Sequence, residues 1–426
     1  MTLNPKYLFS FFFLLACVLQ AAGQYNAPLY APYTTTAQRD SFYHRLTRTA
    51  ILGSLGEPLN DSTEDQWEGA FDAMEIIRYQ NPYVKPRLEV AFDSLQARTP
   101  DFQRALLELV YTNFPKSFQT RVSQFIQHAT LPKLFAMCAE YLVRQHPDPA
   151  YKRSLNALMQ ARFKDSCQTS PILISLSGRL QPHSTPQQPL SKAQLLQKVF
   201  SPDFMPRQIV MYSFQRKDRD YPGLVLVRKA DGSFVRDSLG QIFSVPQLAR
   251  SITNLPGYLT NGNTPQGIFK MYGFGVSQSN FIGPTVNVQL GMPVELGVGK
   301  FFEDSLTTDT VWTLKKYESL LPKSLQDYAP FYESYYAGLA GRTEIIAHGT
   351  TIDPSYYRGT PYYPLTPTDG CLCTREIWNG IRLQSDQQQL VNALLQAGGA
   401  SGYCIVLQLD DQKAPVRLKE LLPYLP

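Results

Sequence analysis

From residue 38 to 167 the apolar positions recur at helical spacing. Trp67, Phe71, Met74 and Ile77 follow at intervals of four, three and three, which sets them on one face of a helix. Similar stripes run through 88–95, 106–114, 118–126, 134–142 and 155–163. Ser62-Thr63-Glu64-Asp65 and Thr99-Pro100-Asp101 are start signals, while Pro86, Pro115, Pro132 and Pro147 or Pro149 punctuate the breaks. The pattern predicts an all-α bundle or short solenoid over 38–167. These stripes are ordinary core faces. His44, His128 and His146 stand alone among them, without partners at metal-ligand spacing.

Residues 168–206 read as a linker: GRLQPHSTPQQPLSK is rich in Pro, Gln and Ser, and contains His183. One short helix is predicted over 191–200, with Ser191 as its N-cap. Beyond it the period changes. Residues 209–214 and 224–227 are apolar and β-branched, with the turn signal ADGS at 230–233 between strands. Residues 285–298 alternate between glycine breaks, 344–347 form a short apolar run, and 403–409 close the series. A helix is expected from about Arg375 to Ala397, ended by Gly398-Gly399. The expected architecture is therefore multidomain: a helical region at 38–167, then a β-rich α+β domain at 207–410, with 411–426 as a tail.

Composition adds two constraints. Of 426 residues, 43% are hydrophobic and only 18% charged, so a sizeable core is affordable. The net charge of +5 is spread along the chain, which excludes nucleic acid as an expected partner. Lys6 followed by YLFSFFFLLACV and LQAAGQ matches an export signal cut after Gly23, with 24–37 extended behind it. The run is short for a membrane span. Leu14-Leu15-Ala16-Cys17 also resembles a lipoprotein site, which would leave the protein on a membrane through lipidated Cys17. A periplasmic or cell-envelope location is expected on either route. Without the leader, five cysteines remain: Cys138, Cys167, Cys371, Cys373 and Cys404. In an oxidising compartment, bridges Cys138–Cys167 and Cys373–Cys404 would leave Cys371 free.

The β-rich region holds one histidine, His348, at the end of a short strand. Downstream, PTDGCLCTRE places Cys371 directly after Gly370. A histidine can deprotonate such a thiol, and a following helix N-terminus would favour the thiolate. Backbone N–H groups around Gly370 and Cys371 would then stabilise an oxyanion. Cys371-x-Cys373 is too tight for the usual zinc spacing, and no metal or cofactor is expected.

Three stretches in order carry a resemblance: Asn263-Thr264-Pro265-Gln266-Gly267-Ile268-Phe269, Ala347-His348-Gly349-Thr350, and Thr368-Asp369-Gly370-Cys371-Leu372-Cys373. Together they resemble the L,D-transpeptidase catalytic domain of bacterial cell-wall enzymes, over roughly 205–410. The resemblance implies that Cys371 attacks a carbonyl of a peptidoglycan stem peptide, at a diamino-acid residue, and forms a thioester. An amine or water resolves it, giving transpeptidation or carboxypeptidation. It implies His348 as base, Thr368 as an ordering hydroxyl and Gly370 as the tight turn of the oxyanion hole. Gly349, Thr350, Asp369, Arg375, Arg358 and Tyr362 are the candidate substrate-binding residues.

Two positions depart from the family pattern. Asp369 stands where a second histidine is usual, and Cys373 where Arg or Asn is expected. Asp369 would orient His348 or bind a stem-peptide amine, yet its charge disfavours the thiolate. Arg375, Arg358 and Arg342 are the candidates for the missing guanidinium. Tyr356, Tyr357, Tyr362 and Tyr363 would form either a lid over a peptide cleft or a loop packed on its own rings. The alternatives to an enzyme are a catalytically inactive wall-binding protein that keeps the fold, and a scaffold whose helical half binds a protein partner.

Overall fold

The computed structural model describes residues 34–181, 190–304, 306–378 and 383–426. The expected leader (1–23) with Cys17, residues 24–33 of the expected extended segment, and His183 lie outside them. Among the described residues no helix is long and apolar enough to cross a membrane.

The helical stripes fold as their periodicity requires. The principal helices are Glu64–Ile76, Val84–Ser94, Pro100–Asn113, Gln119–Phe125, Pro132–Gln145 and Pro149–Phe163. Trp67, Phe71, Met74 and Ile77 are buried in one shared core. The Thr99 hydroxyl accepts from Phe102 N–H at 3.2 Å, capping the helix that Pro100 opens. Pro132 and Pro149 also stand at helix starts. Pro86 does not mark a break: it lies in the first turn of Val84–Ser94, where no intrahelical N–H is lost.

Part of the stretch read as a linker is structured. Pro171–Leu180 is a helix whose Ile172, Leu173, Leu176 and Leu180 join the helical core. Lys192–Val199 is another, with the expected Ser191 cap completed by Gln194.

The β half is a mixed sheet of eight strands: β1 (Val210–Gln215), β2 (Gly223–Arg228), β3 (Val245–Gln247), β4 (Gly267–Gly275), β5 (Asn287–Gly291), β6 (Ile346–Gly349), β7 (Leu372–Thr374) and, after the small hairpin β8 (Glu376–Trp378) and β9 (Leu383–Ser385), β10 (Ser401–Gln408). Their order is β3-β2-β1-β10-β4-β5-β6-β7. The β1–β10 and β6–β7 pairs are parallel and the others antiparallel. Leu248, just beyond β3, exchanges two 2.8 Å backbone bonds with Cys373 of β7, so the edges meet and the sheet is nearly closed.

The sheet is buried on both faces. One face packs Met211, Val225, Phe269, Val288, Ala347, Leu372 and Cys404 against helix Asp386–Ala397. The other packs Tyr212, Phe214, Ile268 and Ile405 against Lys192–Val199 and the aromatic segment 301–335. The helix following the cysteine motif starts at Asp386, eleven residues later than Arg375, because the hairpin β8–β9 intervenes. The C-terminal residues pack on the sheet half: Arg216 donates to Asp410 at 2.6 Å and to Glu420 at 2.7 Å.

The two halves share a core. Leu255, Tyr258 and Leu259, in the loop between β3 and β4, belong to the helical cluster. Tyr258 Oη donates to Glu140 at 2.9 Å and Tyr357 Oη to the Ile76 carbonyl at 2.8 Å.

Candidate active site around Cys371

The candidate pair sits on β6 and directly before β7, two adjacent strands. Ala347 stands beside Leu372 and His348 beside Cys373. Side chains alternate along strands. Ala347 and Leu372 enter the core under helix Asp386–Ala397, so His348 and Cys373 face the other way. Cys371 directly precedes β7, and its thiol meets the backbone at the start of β6. No hydrogen bond joins the Cys371 and His348 side chains.

His348 is 3% exposed. Its Nδ1 lies 2.6 Å from the Gly349 carbonyl, which can only accept, so Nδ1 carries the proton and Nε2 is the bare acceptor. The same carbonyl accepts from Gly283 N–H at 2.7 Å. Burial pushes the imidazole down to about 4, against the favourable Gly349 bond, so the ring is neutral at neutral pH. Asp369 does not orient it, contrary to one expectation.

Cys371 is half-buried. Its thiol donates to the Glu344 carbonyl and accepts from Ile346 N–H, both at 3.5 Å. Burial pushes it up to about 11; Asp369 and Glu344 add to this, while the Ile346 N–H and Arg342 oppose it. The expected helix N-terminus is not there to lower it, because β7 follows Cys371 directly. The resting pair is thus a neutral thiol and a neutral imidazole.

The turn before Cys371 is tied from three sides. Gly370 N–H donates to Thr368 Oγ1 at 3.2 Å, and the Thr368 hydroxyl donates to the Cys371 carbonyl at 3.0 Å. Thr264 donates to the Gly370 carbonyl at 2.8 Å, linking the first of the three sequence elements to the third. Gly370 has φ +118°, and a Cβ there would overlap the Arg342 guanidinium and the Gly262 carbonyl.

Arg342 is the guanidinium at this site. Its Nη1 donates to the carbonyls of Gly257 at 2.6 Å and Asn263 at 2.8 Å, while Nη2 lies against Gly370. Among the described residues it has no ion-pair partner. Burial lowers it to about 10, and Cys371 partly offsets that. Sequence spacing ranked it no higher than Arg375 or Arg358, since nothing local shows that the segment before β6 passes behind Gly370.

The remaining candidates lie elsewhere. Arg375 pairs with Asp386 at 3.0 Å. Arg358 is exposed after the helical turn Pro354–Tyr357, in the middle of its loop. Thr350 is buried and donates to the Phe281 carbonyl at 3.0 Å. Tyr362 is buried against Tyr357, with Arg250 over its ring at 4.9 Å. The Tyr/Pro loop is thus packed on its own aromatic rings and Leu248, not poised as a lid. All five described cysteines are free. Cys373 lies in the cluster under that loop and Cys404 in the core on the opposite face, so the expected Cys373–Cys404 bridge does not form. Cys138 and Cys167 are likewise unbridged. Among the described residues no group of side chains can hold a metal ion.

No protein-family model matches the chain, and neither does any curated protein or solved structure.

Proposed function

We propose that the protein is an exported cysteine acyltransferase acting on peptidoglycan stem peptides, as a divergent L,D-transpeptidase or carboxypeptidase. The observation that supports this reading is that His348, buried, neutral and held in one tautomer, lies on β6 beside β7, the strand that Cys371 directly precedes. As substrate enters, the thiol passes its proton to Nε2 as sulfur attacks the carbonyl. The thioester forms and the C-terminal D-residue leaves, its amine taking the proton from the imidazolium. A second amine, or water, then resolves the thioester. Arg342 supplies the positive charge that position 373 lacks, against a stem carboxylate or the oxyanion.

The test is mass addition. The unsubstituted chain is expected to gain an acyl adduct with a thiol-reactive β-lactam, or to turn over a tetrapeptide stem. Cys371→Ala abolishes both, and His348→Ala lowers the rate by at least 100-fold. An intact thiol with neither adduct nor turnover overturns the reading. The second reading is a catalytically silent wall-binding protein. The missing Cys371–His348 hydrogen bond and the raised thiol favour it, and the same experiment decides.

A further inference from the structure

A cavity of about 210 Å³ lies under the first described helix, Thr36–His44. Its walls include neither the Cys371 turn nor Arg342. The helix gives one wall, through Arg39 and Phe42. Arg45 extends that wall and opens the π-helix Arg45–Gly53, a rare geometry that recurs at functional sites. Phe281, between β4 and β5, gives the second wall, and Ile352, Asp353 and Tyr356, in the loop after β6, give the third. These last two walls are bonded together: Thr350 Oγ1 and Thr351 N–H donate to the Phe281 carbonyl at 3.0 and 3.2 Å. The helix meets them through rings, Phe42 with Phe281 at 5.8 Å and Tyr43 with Tyr356 at 5.9 Å. None of its nine residues is buried. A helix this short depends on packing of its apolar face, and the cavity lies where that face would pack.

Arg39 distinguishes the cavity from a packing defect. Among the described residues its guanidinium makes no hydrogen bond; Nε is enclosed without a partner, and the ion-pair contact with Asp353 is 4.0 Å long. Tyr356 Oη is likewise enclosed without a partner. Polar groups left in this condition are costly. Both residues line the cavity, so a small side-chain rotation turns these atoms onto a ligand there. Burial, with Asp353 adding to it, pushes the Tyr356 phenol up to about 12, so it remains an O–H donor. A guanidinium fork and a phenol O–H together match the two oxygens of a carboxylate.

Size and charge narrow the ligand. A cavity of about 150 Å³ takes one benzene ring, so this one has room for a ring on a short arm. Arg39 and Arg45 against Asp353 leave one positive charge in surplus on the wall, matched by a single negative charge. We propose that the cavity is a binding site for a small aromatic monocarboxylate, its ring between Phe42, Phe281 and Ile352 and its carboxylate on Arg39 and Tyr356 Oη. The ligand docks helix Thr36–His44 onto the sheet half. The site stands independently of the acyl-transfer reading.

The test uses the full chain and three probes titrated calorimetrically: 3-phenylpropionate, 3-phenylpropionamide and acetate. The amide lacks the charge and acetate lacks the ring. 3-Phenylpropionate is expected to bind at least tenfold more tightly than either, and to raise the melting temperature. Arg39→Gln should cut the acid-over-amide preference to threefold or less. Tyr356→Phe, which keeps the ring, should weaken the acid by about fivefold. Arg153→Gln removes the same charge from an exposed position on helix Pro149–Phe163 and should leave the preference unchanged. Melting of each unliganded variant confirms its folding, and where Arg39→Gln unfolds, Tyr356→Phe decides. No binding of the acid at millimolar concentration overturns the proposal, as does equal binding of the amide or of acetate. A preference that survives Arg39→Gln, is lost equally in Arg153→Gln, or is untouched by Tyr356→Phe also overturns it. L-Phenylalanine binding more tightly than 3-phenylpropionate would make the ligand a zwitterion and overturn the monoanion assignment.

Discussion

At the residue scale, His348 and Cys371 are governed by burial. The unfolded histidine takes a proton near its ordinary 6.5, and the folded one only near 4. Between those values the unfolded chain binds more protons. This contribution to stability is therefore complete above pH 6.5 and is lost as pH falls toward 4, reaching about 3 kcal/mol at the lower end. Urea unfolding from pH 7 to 4 should show that slope, and His348→Gln should flatten it relative to the parent. The difference between the two proteins is the quantity to read, because Glu75, Glu108 and Asp369, whose carboxyls burial raises, titrate with the opposite sign. For Cys371 the raised thiol predicts that iodoacetamide labelling, followed by peptide mass mapping, keeps accelerating from pH 8 to 10. A plateau near pH 7 would mean an activated thiolate. Replacing Arg342 with Met removes two carbonyl bonds to a charged donor and is expected to cost roughly 2–4 kcal/mol by denaturant unfolding.

At the element scale, the turn 368–371 depends on a backbone that only glycine supplies there. Gly370→Ala forces φ +118° on an L-residue and drives its Cβ into Arg342 and the Gly262 carbonyl. A loss of about 2–4 kcal/mol is expected, with Cys371 labelling altered, since the Thr368 and Thr264 ties act on this same turn. Differential scanning fluorimetry with thiol mapping checks both. The elements themselves were largely legible. Residues 209–214, 224–227 and 403–409 announce β1, β2 and β10 because both faces of the sheet are covered, which leaves continuous apolar runs. The helix after Cys371 was misplaced at its start: Glu376, Ile377 and Trp378 fit a helical pattern as well as a short strand, and only pairing with 383–385 decides.

At the scale of the whole molecule, the helical half and the sheet half are packed as one body through a shared core. Leu255, Tyr258 and Leu259 leave the sheet half and complete the helical core, and Asn261 of the same loop donates to Glu108 at 3.2 Å. Residues 190–426 expressed alone should therefore expose those three side chains, bind a hydrophobic dye and melt lower than the full chain. An isolated fragment with unchanged melting and no dye binding would show two independent domains. Tyr258→Phe, which leaves Glu140 to Arg179 alone (3.1 Å), is expected to cost about 1 kcal/mol in the intact chain.

The sequence by itself determined the two halves and most helix positions, and it singled out Cys371 and His348 as candidates. Those are properties of local period and of rare chemistry-bearing residues, which a linear pattern records. It left the choice among Arg342, Arg358 and Arg375 open, supported a Cys373–Cys404 bridge that does not form, and held no sign that Tyr258 and Asn261 reach Glu140 and Glu108 of the helical half. Each of these depends on which segments cross in space. Strand register, the near-closure of the sheet at Leu248 and Cys373, and the shared core at Tyr258 decided them, because long-range packing sets which charges are buried together and which thiols face apart.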